Sequence, residues 1–285
     1  MATADRKRRR TVNGPAETGQ YPESGRRPRA CILMSTYNGA AFLAEQLKSI
    51  QGQTFDDWSL LVRDDGSTDG TVDIIRTFAA EDARIRLVES TPPGTEPLGP
   101  ASSFGTLITS GLETASDVFF LSDQDDVWEP HKIERFLLEF EQQQPPLLVF
   151  SDYRKVDARL QDLDGSNLVD SLGASPLSLA SLLTMNFIPG CCMAFNRALA
   201  EIATPIPGAS PMHDWWLALT AAASGRLFRI EEPLVKYRQH GGNVIGASSL
   251  TSLARGVSDW PAIWRKGQRE LVQTFSQAGE LAERL

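Results

Sequence analysis

The chain has 285 residues, of which 41% are hydrophobic and 22% are charged, a composition typical of a globular protein with a sizeable buried core. Its net charge of −8 divides into +5 over residues 1–30 and −13 over the rest, so the acidic body excludes the basic surface that nucleic-acid binding needs. Three cysteines (Cys31, Cys191 and Cys192) are too few for a disulfide framework or a zinc cage, and no apolar run is long enough to span a membrane, so we expect a cytoplasmic protein.

From residue 30 onward, short apolar runs alternate with segments of helical periodicity, whereas residues 1–29 are rich in Arg, Gly and Pro and are expected to form a disordered basic arm. The predicted strands are Cys31–Met34, Trp58–Val62, Ile85–Val88, Val118–Leu121 and Leu147–Phe150. The predicted helices begin after Asn38-Gly39, near Thr68, before Phe104 and at Pro130. Strands separated by helices of this length predict right-handed crossovers, and therefore a largely parallel sheet with helices on both faces.

Polar segments follow three of the predicted strands. They are Ser35-Thr36-Tyr37-Asn38, Asp64-Asp65-Gly66-Ser67 and Asp123-Gln124-Asp125-Asp126. In parallel sheets, ligands bind beyond the carboxyl ends of the strands. We therefore expect the three segments to meet at one edge of the sheet and to form a site there.

Each polar segment also has a structural interpretation. Three carboxylates within four residues repel one another unless a cation binds, and oxygen ligands suit Mg²⁺ or Mn²⁺, but the same residues are typical of a solvated turn before a helix. Asp64 or Asp65 either caps the following helix or accepts an N–H of a pyrimidine, for which Tyr37 offers a stacking face.

Taken in order, with Gln53-Thr54-Phe55 between them, these segments resemble glycosyltransferase family 2, the inverting enzymes of the GT-A fold. His213-Asp214-Trp215-Trp216 is similar to the segment with that family's catalytic base, and Tyr237 to Asn243 resembles a loop of its bacterial rhamnosyltransferase-like branch. The resemblance covers Ala30 to Gly246. It implies an α/β fold of GT-A type, with a Rossmann-like, mostly parallel sheet flanked by helices, a C-terminal acceptor-side region and a helical tail.

The resemblance also implies a domain organisation. After the arm of residues 1–29, residues 30–246 are expected to form the catalytic domain, with a nucleotide-binding half over 30–126 and an acceptor-binding half over 127–246. Residues 247–285 are expected to form an amphipathic helical segment. Its apolar face either packs on the catalytic domain or lies on a membrane surface.

Roles for individual residues follow from the same resemblance. Asp214 is the expected catalytic base, although a carboxylate there is also a good helix N-cap. The expected nucleotide-binding residues are Ser35, Thr36, Tyr37, Asn38, Asp64, Asp65 and Asp123. The expected ligands for Mg²⁺ or Mn²⁺ are Asp125, Asp123 and His240. The expected acceptor and sugar contacts are Trp128, Gly190, Cys191, His213, Trp215, Trp216 and Arg238.

The function that this implies is metal-dependent, inverting transfer of a sugar, rhamnose from dTDP-rhamnose, to a bacterial cell-surface glycan or its lipid-linked precursor. The enzyme would work in the cytoplasm or peripherally on the inner face of the plasma membrane. A UDP-hexose donor is the alternative within the family. Alternatives of other classes are a Mg²⁺-dependent phosphoacceptor module, which would use the paired aspartates with a lysine such as Lys155, and a nucleotide-binding subunit without activity.

Overall fold

A computed structural model of the chain describes residues 28–140, 145–163, 178–241 and 260–284. Nearly all of the expected basic arm, residues 1–27, lies outside the described residues. The strands are β1 Ala30–Thr36, β2 Trp58–Asp64, β3 Ile85–Ser90, β4 Val118–Ser122, β5 Val127–Trp128, β6 Leu147–Val156, β7 Met193–Asn196 and β8 Arg226–Arg238. They form one sheet in the order β3-β2-β1-β4-β7-β6-β8-β5.

Helices flank this sheet. They are α1 Leu43–Gln51, α2 Thr71–Glu81, α3 Pro100–Leu112, α4 Lys132–Leu137, α5 Leu179–Leu182, α6 Arg197–Ala203, α7 His213–Ser224 and α8 Trp260–Arg284, with a 3₁₀ turn at Gly190–Cys192. Helix α2 begins later than the expected start near Thr68, and α4 begins at Lys132, because the residues after Pro130 form a turn first.

The predicted α/β fold is confirmed, and each predicted strand extends beyond its predicted carboxyl end. β1 lies between β2 and β4 and pairs with both in parallel. Its apolar run is buried from Ala30 to Met34, as expected for a central strand covered on both faces. The sheet is less uniformly parallel than predicted, because the short strand β7 pairs antiparallel with both β4 and β6.

The reversed direction of β7 determines which segments reach the candidate site. Because β7 is antiparallel to both neighbours, β6 runs in the same direction as β4, and β8 pairs with β6 in parallel. The carboxyl ends of β1, β2, β4, β6 and β8 therefore lie at one edge of the sheet. β7 contributes its amino end to the same edge, together with the 3₁₀ turn before it.

The C-terminal helix α8 packs on this domain through its last residues. The Arg284 guanidinium donates to the carbonyls of Ala203 and Pro205, at 3.0 and 2.8 Å, and lies over the Trp216 ring at 5.0 Å. Val272 and Phe275, further back on the helix, are exposed. None of the described helices is long and apolar enough to cross a bilayer.

Gly225, directly after α7, provides a test of the packing between α7 and the sheet. A Cβ at this position would meet the Pro146 carbonyl oxygen at 1.9 Å, a backbone atom that cannot move aside cheaply. We expect Gly225→Ala to lower the melting temperature by several degrees, since overpacking costs about 1–3 kcal/mol or more. The control is Gly279→Ala in α8, where a Cβ meets nothing within 4 Å and alanine favours the helix. Equal melting temperatures for the two variants would contradict this packing.

Candidate active site

A cavity of about 660 Å³ opens at the edge of the sheet where the strands end. Its lining includes residues that follow β1, β2 and β4, residues of β6 and β8, and residues before the 3₁₀ turn and at the start of α7. Among the expected site residues, it brings together Ser35, Thr36, Tyr37, Asp65, Asp123, Asp125, Gly190, His213 and Asp214. The prediction that the polar segments meet at one edge is therefore confirmed.

A side chain joins the segments after β1 and β4. The Gln124 amide accepts from the Tyr37 backbone N–H at 2.9 Å and donates to the Tyr37 carbonyl at 3.0 Å. Gly39 makes room for this pairing, because a Cβ there would lie 2.2 Å from Gln124 Oε1. The Tyr37 ring remains half exposed at the cavity.

The two aspartates after β2 have different surroundings. The Asp64 carboxylate is fully buried and accepts from the Thr36 hydroxyl at 2.9 Å and from the Ser67 backbone N–H at 2.9 Å, so it organises the turn. This turn requires Gly66, whose φ of 93° lies in the left-handed region. Asp64 therefore lies outside the cavity lining, whereas Asp65 lies in it.

Asp65 connects β2 to the start of α3. Its Oδ1 accepts from the Arg63 guanidinium at 2.7 Å and the Leu98 N–H at 3.2 Å, and its Oδ2 accepts from the Gly99 N–H at 2.9 Å. Burial opposes ionisation of Asp65, but these hydrogen bonds hold its pKa below the usual range. Asp65 is therefore a fixed negative charge in the cavity wall.

The carboxylates after β4 also differ in their surroundings. Asp125 Oδ2 lies 2.7 Å from His240 Nε2, and the His240 ring packs against Phe42 with centroids 4.6 Å apart. Asp126 is fully buried and accepts from the Arg238 N–H at 3.0 Å, and burial raises its pKa to about 7. Burial and the charges of Asp126 and Asp125 also raise the pKa of Asp123.

The residues present fit a divalent cation. Carboxylate oxygens and an imidazole nitrogen suit Mn²⁺ or Mg²⁺, and the Asp125 and His240 donor atoms are already adjacent. A second group of donor atoms, from Asp123, Asp126 and Cys191, lies within 4.8 Å of one another. Asp126 is fully buried and, like Cys191, lies outside the cavity lining, whereas Asp123 and Asp125 both line the cavity. A ligand in the cavity would therefore reach an ion held at Asp123 and Asp125.

Asp214 lies in the first turn of α7 and is nearly fully buried. Its Oδ1 accepts from the Asn186 amide at 2.9 Å, and its Oδ2 accepts from the Gly190 N–H at 3.0 Å. Burial raises the pKa of Asp214 to about 6 against these hydrogen bonds, which favour the ionised form. The helix N-cap is Met212, so Asp214 does not occupy the predicted cap position, although its Oδ1 also accepts from the Trp215 N–H of the first turn at 2.7 Å.

His213 is the adjacent residue in the cavity wall. Its ring stacks on Phe104 with centroids 3.9 Å apart, and neither ring nitrogen has a hydrogen-bond partner among the described residues. Burial lowers the pKa of His213 to about 3. The imidazole is therefore neutral at physiological pH and carries no charge into the cavity.

Several other expected site residues lie outside the cavity lining. They are Asn38, Asp64, Trp128, Cys191, Trp215, Trp216, Arg238 and His240. Trp216 is fully buried and its indole N–H donates to the Ala203 carbonyl at 2.8 Å, while the Trp215 indole N–H donates to the Leu182 carbonyl at 2.6 Å. Neither tryptophan therefore lines the cavity as the expected sugar contact. Both rings instead anchor α7.

Buried cations differ from the sequence analysis in two ways: Lys132 was missed, and Arg238 was expected as an acceptor contact but lies outside the cavity lining. Lys132 is fully buried, and its ammonium donates to the Cys191 carbonyl at 2.7 Å. Arg238 is also buried, and its guanidinium donates to the carbonyl of Asp125 at 2.6 Å and pairs with the Glu45 carboxylate. The signal in the sequence was the position of Lys132, which directly precedes Ile133, the first residue of the apolar face of this helix.

Comparisons with known proteins agree with this architecture. The model of the family described as "Glycosyl transferase family 2" matches residues 31–202. The dTDP-rhamnosyl transferase RfbG of Shigella flexneri is 29% identical over 226 residues, which are 75% of this chain and 74% of that protein. TuaG of Bacillus subtilis, named for a glycosyltransferase role in teichuronic acid biosynthesis, is 30% identical over 217 residues, 74% of this chain and 79% of that protein.

A solved structure has a similar fold. The mannosyltransferase PcManGT from Pyrobaculum calidifontis, in complex with GDP-Man and Mn²⁺, matches with a TM-score of 0.57 at 19% identity. The match covers 91% of this chain and 66% of that chain. This chain thus spans just under two thirds of that protein's solved length, and the likeness concerns the fold.

Gly39 tests the connection between the segments after β1 and β4. In Gly39→Ala the new methyl group displaces the Gln124 amide from Tyr37, so we expect the Tyr37 amide to exchange with solvent about tenfold faster in hydrogen-exchange mass spectrometry. The control is Gly70→Ala, where the nearest atom to a new Cβ is 3.8 Å away. Unchanged exchange at Tyr37 in Gly39→Ala would show that the pairing does not order the segment.

Proposed function

The chain belongs to glycosyltransferase family 2, and on that premise we propose that it transfers a sugar from a nucleoside diphosphate donor to the hydroxyl of a glycan acceptor. One observation carries the proposal. A single cavity is lined on one side by the residues that follow β1, β2 and β4 and on another by Asp214, a buried carboxylate whose pKa is raised to about 6. Such a carboxylate suits a general base near neutral pH.

The nucleotide would bind at the ends of β1 and β2. Tyr37 offers a half-exposed ring for stacking on the base. A carboxylate has about four acceptor positions, and protein donors occupy two on Asp65 Oδ1 and one on Oδ2. The remaining position on Oδ2 would accept the ring N–H of thymine or uracil.

The diphosphate would bind with Mg²⁺ or Mn²⁺ at the end of β4. Asp125, Asp123 and His240 are the residues that would hold the ion. When bound, the ion neutralises the negative charge that develops on the departing diphosphate.

Asp214 would remove the proton from the acceptor hydroxyl as that oxygen attacks the anomeric carbon. The Asn186 amide and the Gly190 N–H fix the carboxylate, so that it does not need to be oriented during the reaction. Attack from the face opposite to the departing diphosphate is a single displacement. It inverts the configuration at the anomeric carbon.

Rhamnose is the sugar that we propose, with dTDP as its carrier. The similarity to a dTDP-rhamnosyl transferase supports this proposal. The cavity lining also includes the apolar side chains of Phe104, Phe187 and Ile188, which suit the C6 methyl group of a 6-deoxyhexose better than a hydroxymethyl group. A UDP-hexose is the alternative donor.

The acceptor that we propose is a bacterial cell-surface glycan or its lipid-linked precursor. Similarity to a protein named for teichuronic acid biosynthesis supports this class. Met185, at the cavity and 57% exposed, would give the acceptor side an apolar rim. A peripheral position on the inner face of the membrane is part of the same proposal.

Asp214→Asn tests the assignment of the base. Asparagine keeps the shape but does not accept the proton, so we expect transfer to fall by about 10²–10⁴-fold while donor nucleotide still binds. In the wild type, kcat/KM should fall about tenfold per pH unit well below pH 6, because the base must be ionised. The control is Glu231→Gln, an exposed carboxylate on β8. Transfer by Asp214→Asn within a few-fold of wild type would exclude Asp214 as the base.

Asp125→Ala tests the metal site. We expect calorimetric affinity for dTDP or UDP in Mn²⁺ to fall at least about tenfold, because a metal-bridged phosphate contact contributes several kcal/mol. Excess EDTA should weaken binding to the wild type by a similar factor. The control is Asp73→Asn, a solvent-exposed carboxylate on α2. Equal affinity with Mn²⁺ and with EDTA would contradict a metal-dependent site.

A further inference from the structure

A fully buried lysine lies behind the cavity. Lys132, the first residue of α4, has no solvent exposure, and its Nζ lies 3.6 Å from the centroid of the Trp128 ring. Buried ammonium groups are rare and costly unless they are paired. Burial lowers the pKa of Lys132 to about 8, while the charges of Asp126 and Asp123 oppose this shift, so the group is mostly protonated at pH 7.

The direct hydrogen bond of Lys132 is to a backbone atom. Its ammonium donates at 2.7 Å to the carbonyl of Cys191, the middle residue of the 3₁₀ turn before β7. Gly190, the first residue of that turn, donates its N–H to Asp214 Oδ2 at 3.0 Å. Lys132 and Asp214 therefore hold the same three-residue turn from two sides.

The turn packs against Asp214 with little clearance. A Cβ on Gly190 would lie 3.0 Å from His213 Nε2 and 3.7 Å from Asp214 Oδ2. A small rotation of the turn would therefore change the distance from the Gly190 N–H to the carboxylate. The Asn186 amide and the Trp215 N–H both donate to the other carboxylate oxygen, Oδ1.

We propose that Lys132 is a positioning residue for Asp214: through the Cys191 carbonyl, its ammonium orients the Gly190–Cys192 turn so that the Gly190 N–H binds the Asp214 carboxylate. This inference rests on the proposed role of Asp214 as the base. Lys132 would thus influence the base although it lies outside the cavity lining.

The consequence is a shift in the pH at which the base ionises. A hydrogen bond to the ionised form lowers the pKa of a carboxyl group, so losing the Gly190 contact raises the pKa of Asp214. The other groups facing Asp214 are the Asn186 amide and the Trp215 N–H, which do not titrate, the neutral His213, and Asp123, whose carboxylate interacts electrostatically with that of Asp214. His213 does not titrate between pH 5 and 9, since burial lowers its pKa to about 3.

The test compares pH profiles of kcat/KM for wild type and Lys132→Met. Methionine matches the shape of the lysine stem without the charge. We expect the acid limb to move upward by about one pH unit, which gives about a fivefold loss at pH 6 and less than about a twofold loss from ionisation at pH 8. The matched control is Lys236→Met, a part-exposed lysine on β8 that lies 3.9 Å from Glu129. The acid limb of the pH profile of Lys236→Met should not move.

Two further variants separate the outcomes. Gly190→Ala displaces the turn while leaving Lys132 intact, so the same upward shift is expected even if Lys132→Met folds poorly. In an Asp214→Asn background, Lys132→Met should change the residual rate by less than about twofold, because no carboxylate remains to be positioned. A loss in Lys132→Met that is uniform across pH, with the limb unmoved, would overturn the inference. Full activity of Asp214→Asn would instead overturn the proposed base.

Discussion

The direction of strand β7 is the constraint on which the rest of the site depends. Because it pairs antiparallel with β4 and with β6, the strands on both sides of it point the same way, and their carboxyl ends share one edge with the turn that precedes β7. A residue in that turn, Gly190, reaches Asp214, while Asp123 and Asp125 follow the neighbouring strand β4. The proposed metal ligands and the turn that holds the proposed base thus lie at the ends of two neighbouring strands, β4 and β7.

Buried charges hold the segments at this edge in place. Arg63 joins Asp65 to Ser103 at the start of α3, with both contacts at 2.7 Å. Arg238 binds the segment after β4, and Lys132 binds the turn before β7. The three cations donate to backbone carbonyls, to carboxylates and, for Arg63, to hydroxyl groups, so the polar residues that face the cavity are fixed before any ligand binds.

The parallel half of the sheet could be predicted because its buried strands are uninterrupted apolar runs and its loops carry the polar residues. Strand β7 could not, since it has four residues and follows Pro189 and Gly190. The tryptophans were misassigned because successive residues of a helix point about 100° apart, so Trp215 and Trp216 turn away from the cavity that Asp214 lines. Lys132 was missed because a single charged residue in a sequence normally indicates solvent exposure.

The central claim is a single displacement at this cavity, and the stereochemistry of donor hydrolysis tests it without knowledge of the acceptor. The purified protein would be incubated with Mn²⁺ and dTDP-rhamnose, or with a UDP-hexose, and proton NMR would identify the first anomer of free sugar released when water serves as the acceptor. The account predicts an anomer opposite in configuration to the donor. Release of the anomer with the donor's configuration would contradict it.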